Sequence, residues 1–221
     1  MTGGYARLSI SVGVEQKDES TYCQFFSDND NIVEYQNPKE ELFFFNWHGK
    51  DTTIKSRGAA SILTGKISQK AGATSIRVPE CDEPEEFLRI FKDSYVVHIG
   101  NYFGRKTPSK EPRLYHVTNT RAEGDFYYTI QRDYIPDLLH SSACYIRVDD
   151  KTTVWRGKHA SDGCFEAAKK ACGIISEAEP EVLLESEGQV LFDAPVFPMD
   201  FSTFMPRCFT LSLDKNVLKG K

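Results

Sequence analysis

What this chain has little of narrows it first. No run of about 18 apolar residues occurs anywhere in its 221 residues, so no helix long and apolar enough to cross a membrane is expected. Positive charge is not in excess: 27 Lys and Arg stand against 32 Asp and Glu, for a net charge of −5. With a pI near 5.6 this argues against broad nucleic-acid binding, which carries a basic footprint. The six cysteines (Cys23, Cys81, Cys144, Cys164, Cys172 and Cys208) are scattered, and no two have the spacing of a zinc or redox motif. They read as small buried apolar groups of a reducing compartment. His48, His98, His116, His140 and His159 show no metal-ligand spacing either. Met1 to Tyr5 lacks the basic and apolar stretches of a secretory signal, so a cytoplasmic protein is expected. Hydrophobic residues at 40%, with 12% aromatics, can fill packed cores, and the length allows one large domain or two of about 100 residues.

What is there is a duplication. Phe43-Phe44-Phe45-Asn46-Trp47-His48-Gly49-Lys50 returns as Thr152-Thr153-Val154-Trp155-Arg156-Gly157-Lys158, and Trp155 follows Trp47 by 108 positions. Each copy is a strand ending in Trp-x-Gly-Lys and is followed by an Ala-rich helical stretch. Glu83-Pro84-Glu85 and Glu179-Pro180-Glu181 then read as a second shared signal. The spacing is that of a tandem domain, not of a solenoid, whose periods run at roughly 20–50 residues. A module duplicated without a duplicated set of catalytic residues points to binding.

Leu8 to Val14 alternates apolar and polar residues as a half-buried strand does. Glu15 to Asn37 is polar and mixed and reads as a long loop or insertion. Leu42 to Trp47 reads as a strand. Thr53 to about Gln69 reads as a helix with Thr52 or Thr53 at its N-cap and Gly72 at its end. Its apolar stripe is Ala59, Ala60, Ile62, Leu63 and Ile67. Ser75 to Val78 is a short strand, Pro84 opens a short helix with Phe87, Leu88 and Phe91 on one face, and Tyr95 to Ile99 is β-prone. Gly100 to Pro112 reads as a linker. In the second unit, strands are expected at Arg113 to Val117, Phe126 to Ile130, Cys144 to Val148, Thr152 to Trp155, Val182 to Leu184 and Gln189 to Phe192. A hairpin turn is expected at Asp149-Asp150-Lys151, and a helix capped by Ser161 with Phe165, Ala168, Cys172 and Ile175 inward. The class is α+β, small sheets packed on helices.

These motifs, in this order, resemble the gelsolin/villin superfamily. Trp47-His48-Gly49 followed by Ala59-Ala60-Ser61-Ile62-Leu63 is similar to a fourth repeat of that family; Arg113-Leu114-Tyr115 resembles the start of a fifth, and Pro206-Arg207-Cys208-Phe209 that of a sixth. The resemblance implies tandem gelsolin-like domains, each a small mixed β-sheet between a long and a short helix. They divide as 1–104 (a partial repeat with an insertion, its opening strands missing as in a fragment or truncated isoform), 105–200 (a complete repeat) and 201–221 (a stub). The insertion before Phe43 looks nearest to the supervillin branch.

The resemblance also implies function. The family's calcium sites need an acidic residue at the start of a core strand and a Glu in the first turns of the long helix, because calcium takes six to eight hard oxygen ligands. Here the strand-start position reads Ser141-Ser142 in the second unit, and the helix positions fall near Cys164 and near Ser56, between Lys55 and Arg57. Both sites read as degraded, and no metal ligand or cofactor is expected. The long helix of the fourth repeat lies against actin in the family, which makes Lys55, Arg57 and Lys66 candidate actin-binding residues. Arg105, Lys106 and Lys110 in the linker are candidates for phosphoinositide binding, since clustered cations recruit anionic head groups. The expected function is a cytoplasmic, calcium-independent, scaffold-like actin-filament-binding protein of the actin cytoskeleton and membrane cortex. Its partners would be filaments and phosphoinositide membranes, with no nucleic acid. The alternatives are a calcium-regulated severing or capping protein and a scaffold that does not touch actin. An enzyme is not expected: Cys144 or Cys164 could pair with His116 or His140, but no nucleophile motif surrounds either.

Overall fold

Strands that alternate side chains between two faces, joined either by tight turns or by a helix that carries the chain back parallel, build this chain twice. The computed structural model describes residues 7–12, 15–17, 19–101, 112–119, 126–135, 139–176, 178–193 and 196. The elements are β1 (Arg7–Val12), β2 (Glu15–Gln16), β3 (Gln24–Phe26), β4 (Asp30–Gln36), β5 (Leu42–His48), α1 (Ile54–Ala71), β6 (Thr74–Pro79), α2 (Glu85–Phe91), β7 (Val96–His98), β8 (Arg113–Asn119), β9 (Tyr127–Arg132), β10 (Cys144–Val148), β11 (Thr152–Arg156), α3 (Asp162–Ile175) and β12 (Glu181–Leu184).

One sheet has the order β2-β1-β4-β5-β6, and within the other runs β9-β8-β10-β11-β12, the same order. The pairing sense repeats as well. β1 and β4 are antiparallel, as are β8 and β10; β5 and β6 are parallel across α1, as β11 and β12 are across α3. A parallel pair needs a long crossover, and the helices supply it. This corrects two expectations. Residues 15–37 are not an insertion: they hold β2, β3 and β4. β1 also occupies in the first sheet the place β8 has in the second, so an opening strand is present. The pattern was hidden because buried polar residues (Asp30, Asn31) break the apolar alternation of β4. Gln189 to Phe192 forms no strand; Leu191 is instead buried against Trp155 and Tyr145.

The second sheet is longer than one repeat. β7 pairs parallel with β9, and β3 pairs parallel with β7, so two strands of the first repeat complete a seven-stranded sheet.

The faces of β5 explain how the first repeat is filled. Phe45 and Trp47 point to a core with Ile10, Phe25, Val33 and Val78, closed by Phe87, Leu88 and Phe91 of α2 and by Tyr95. Phe25 makes edge contacts with the rings of Trp47, Phe87 and Phe91. The opposite face carries buried Phe44 together with Asn46 and His48, and Asn46 Nδ2 donates to Ser61 Oγ of α1 at 3.0 Å. In the second repeat the corresponding face is apolar. Cys144, Ile146 and Val154 pack against Cys164, Ala167, Ala168, Ala171 and Cys172 of α3.

Candidate functional site

The repeated Trp-x-Gly-Lys motif is a backbone latch. Ser27 Oγ donates to Glu80 Oε1 at 3.0 Å, and the Lys50 N–H donates to Glu80 Oε2 at 2.7 Å. In the second repeat Ser141 Oγ donates to Glu185 Oε1 at 2.7 Å, and the Lys158 N–H to Glu185 Oε2 at 2.8 Å. Gly49 and Gly157 sit so close to the backbone of Ser27 and Ser141 that a Cβ would lie 2.1 and 2.3 Å from those carbonyl oxygens. Each Trp side chain also has a partner beyond the parallel strand: Trp47 Nε1 donates to Glu83 Oε1, and Trp155 Nε1 to the Gln189 carbonyl. Glu83 also accepts from the Tyr95 hydroxyl at 2.8 Å, and burial pushes its carboxyl above the usual range; burial does the same to Glu80. The Glu-Pro pairs, read as a shared signal, are not equivalent. Glu83-Pro84 follows β6 and caps α2, whereas Glu179-Pro180 precedes β12. The counterpart of Glu185 is Glu80.

Above each latch, the start of a core strand meets the first turn of the long helix. Thr53 caps α1 by accepting from the Ser56 N–H, and Ser161 caps α3 by accepting from the Cys164 N–H. Asp30 pairs with His48 across the first sheet, as Cys144 pairs with Arg156 across the second. The equivalent trios are therefore Asp30, Ser56 and His48, and Cys144, Cys164 and Arg156. Asp30 is fully engaged: His48 Nδ1 lies 2.7 Å from Oδ1, and Ser56 Oγ donates to Oδ2. His48 Nε2 is 3.5 Å from Ser61 Oγ, at the limit of a hydrogen bond. One carboxylate held by an imidazole and a hydroxyl does not fit a calcium ion, and two thiols beside a guanidinium fit it less well. The strand-start position of the second repeat is thus Cys144, not Ser141-Ser142; Ser141 belongs to the latch. Among the described residues no three His, Cys, Asp or Glu gather as metal ligands.

The long helices differ in what they show to solvent. The residues α1 buries are Thr64 and Ser68. Ile54 is 89% exposed and Ile62 63% exposed, and Ala59 is also exposed. The expected inward stripe is therefore largely outward; only Ala60 and Leu63 of it are half-buried, and Ile67 is 36% exposed. Asn46 and His48 on the facing side of β5 meet Ser61 of α1, the helix buries Thr64 and Ser68, and its isoleucines stay outside. Ile54, Gly58, Ile62 and Lys66 follow at four-residue steps, which makes one row along the helix. Lys55 is exposed beside this row, and Lys66 is exposed at its end. Arg57 is not: it points back to the turn before the helix, with Nε donating to Thr52 Oγ1 at 2.8 Å and Nη2 to the Thr52 carbonyl at 2.7 Å. Arg105, Lys106 and Lys110 lie outside the described residues. His116 stacks on Tyr145 at 4.9 Å and His140 packs edge-on to both, on the sheet face opposite Cys144, so no thiol–imidazole pair forms.

The chain is similar in sequence to known proteins. No family model matches the chain. Curated relatives do: villidin of Dictyostelium discoideum is 29% identical over 173 residues, covering 76% of this chain. Cytoplasmic gelsolin of Homarus americanus is 26% identical over 188 residues, covering 80%. Supervillin of Bos taurus is 32% identical over 62 residues, covering 28% of this chain and 3% of supervillin. The chain is similar to members of the gelsolin/villin superfamily. It spans 10% of the length of villidin and 25% of that of the Homarus americanus gelsolin. Among solved structures, a complex of Thorarchaeota 2DGel3 with rabbit actin matches with a TM-score of 0.34 and 18% identity, over 83% of this chain and 94% of that one. Sequence reasoning had found the superfamily and the helix but missed the latch partners Ser27 and Glu80. Ser27 precedes Gly49 by 22 residues and Ser141 precedes Gly157 by 16, so no common spacing marks the pair in the sequence.

Proposed function

We propose that this chain is an actin-filament-binding module of a cytoskeletal protein, and that it docks through the outer face of α1 without a calcium switch. The observation that carries the reading is the exposed row of Ile54 and Ile62, flanked by Lys55 and Lys66, on a helix whose buried side is hydroxylic. An apolar row rimmed by polar groups is how a surface that meets another protein is built. Lys55 and Lys66 supply charge for an acidic partner; Arg57 braces the turn that holds the helix start. The role is binding, not catalysis. The donor sets at Asp30 and Cys144 support calcium independence. The cytoplasm, at the actin cytoskeleton and the membrane cortex, is the compartment this role requires, and a supervillin-like protein is the proposed subfamily. Arg105, Lys106 and Lys110 remain the candidates for phosphoinositide membranes, to be tested by flotation with vesicles containing or lacking the phosphoinositide.

Co-sedimentation with actin filaments, once in calcium and once in chelator, tests the proposal. Equal binding in both, lost in Ile62→Asp with unchanged melting, is the expected result. Binding in calcium alone would favour a severing or capping protein. No binding by the folded chain would leave a scaffold that does not touch actin.

A further inference from the structure

Where the first repeat joins strand to helix through Asp30 and Ser56, the second places two cysteines. Cys144 opens β10 and Cys164 lies in the first turn of α3, and both belong to one buried cluster. Cys164 Sγ lies 3.7 Å from the carbonyl of Val117, the residue directly opposite Cys144 on β8. The Cys144 side chain beside it holds the Cys164 thiol below its ordinary value against the opposing effect of burial. The neighbouring Cys164 thiol and burial push Cys144 up. Arg156, cross-strand from Cys144, reaches over the helix start: Nη2 donates to Asp162 Oδ1 at 2.7 Å and to the Ala160 carbonyl at 3.0 Å. A helix N-terminus and a guanidinium both favour a thiolate. The cysteine so placed has a second thiol as its nearest reactive neighbour, which is the arrangement of a peroxide-reactive cysteine with its resolving partner.

We propose that Cys144 and Cys164 form a reversible oxidation site whose product is a disulfide pinning α3 to β10, with a hydroperoxide as oxidant. The Cys164 thiolate attacks one peroxide oxygen; the O–O bond breaks and the leaving hydroxide takes up a proton as water. The Cys144 sulfur then attacks the Cys164 sulfenic acid; the S–S bond forms, the S–O bond breaks, and a second water leaves with the Cys144 proton. Two thiols are oxidised and one peroxide is reduced. Both sulfurs are buried, so the oxidant enters when the first turn of α3 frays; Asp162 and Gly163 in that turn are already exposed.

The test uses the full chain treated with hydrogen peroxide, alkylated under denaturing conditions and digested with trypsin. Residues 133–147 and 159–169 form peptides that each contain a single cysteine. The expected result is that these two peptides are linked, that dithiothreitol releases them, and that oxidation raises the melting temperature by roughly 5 °C or more, reversibly. In Cys144→Ser, which removes the resolving thiol, dimedone should label Cys164; in the native chain it should not. The proposal is overturned if both cysteines remain alkylated as free thiols while the exposed Cys81 oxidises, or if Cys164 ends as an unlinked sulfinic acid. Mapping on the native chain decides the matter even if the variant fails to fold.

Discussion

Adding one methyl group should have opposite effects at different glycines of this chain, and the latch geometry sets the sign. At Gly49 a Cβ would lie 2.1 Å from the Ser27 oxygen, 2.6 Å from its carbonyl carbon and 2.9 Å from the Asn29 oxygen, all backbone atoms that cannot rotate away. Gly157 faces Ser141 and Ala143 at 2.3, 2.6 and 2.8 Å. The loop must therefore move by about 1 Å. Overpacking of this kind costs about 1–3 kcal/mol. The shift also strains hydrogen bonds that the close approach permits: Gly49 N–H to the Asn29 carbonyl, Asp51 N–H to the Ser27 carbonyl, and Lys50 N–H to Glu80. At about 1 kcal/mol each, partial loss brings the expected destabilisation of Gly49→Ala or Gly157→Ala to ~3–5 kcal/mol. Gly65 is the control. It lies inside α1 with nothing within 4 Å of its Cβ position, so Gly65→Ala should stabilise by about 0.5–1 kcal/mol through helix propensity. Urea unfolding of the three variants, followed by tryptophan fluorescence at Trp47 and Trp155, measures all of them. If Gly49→Ala and Gly157→Ala both lie within 1 kcal/mol of the native chain, the latch does not depend on close backbone approach and the reasoning fails.

Other consequences are as direct. Asn31 of β4 is fully buried opposite Trp47, and neither its Nδ2 nor its Oδ1 has a partner among the described residues, so Asn31→Val should raise stability by about 1–3 kcal/mol in urea unfolding. Glu83 has its pKa raised by burial, so the folded chain holds that proton more tightly than the unfolded chain. Its contribution is present below about 4.5 and is lost as pH rises through the raised value. Glu83→Gln keeps an Oε1 acceptor for Trp47 and Tyr95, so thermal melts should show it gaining on the native chain from pH 4 to pH 7.5; a gap that does not change with pH would refute the assignment. Reversing Lys55 and Lys66 to Glu should weaken filament co-sedimentation without moving the melting temperature, whereas Arg57→Glu should lower the melting temperature by loosening the turn at Thr52.

The legible parts of the fold were those where one physical signal dominated. α3 could be read because its inner face is small and apolar from Cys164 to Cys172, and the β10–β11 hairpin because its strands flank a short acidic turn. β4 could not be read, because Asp30 and Asn31 are buried by pairing and register, not by hydrophobicity. α1 was located correctly but turned over: an apolar stripe was assumed to face inward, and the sheet beneath it presents Asn46 and His48. Equivalence between repeats was legible at Trp47 and Trp155, where the residues are identical. It was lost at Asp30 and Cys144, where the positions agree in space and the chemistry does not.

The strand ladder between β7 and β9 gives the two repeats a mechanical property. Beads on a flexible tether yield one at a time under load, but here a pull that separates the repeats must break the backbone pairing of Val96 with Thr129 and Val97 with Ile130. It must also expose the edge of β9. The parallel pairing of β3 with β7 ties that junction back to residues 24–26, far earlier in the chain. Pulling the repeats apart therefore means tearing a sheet, not merely extending a connection between two separate sheets.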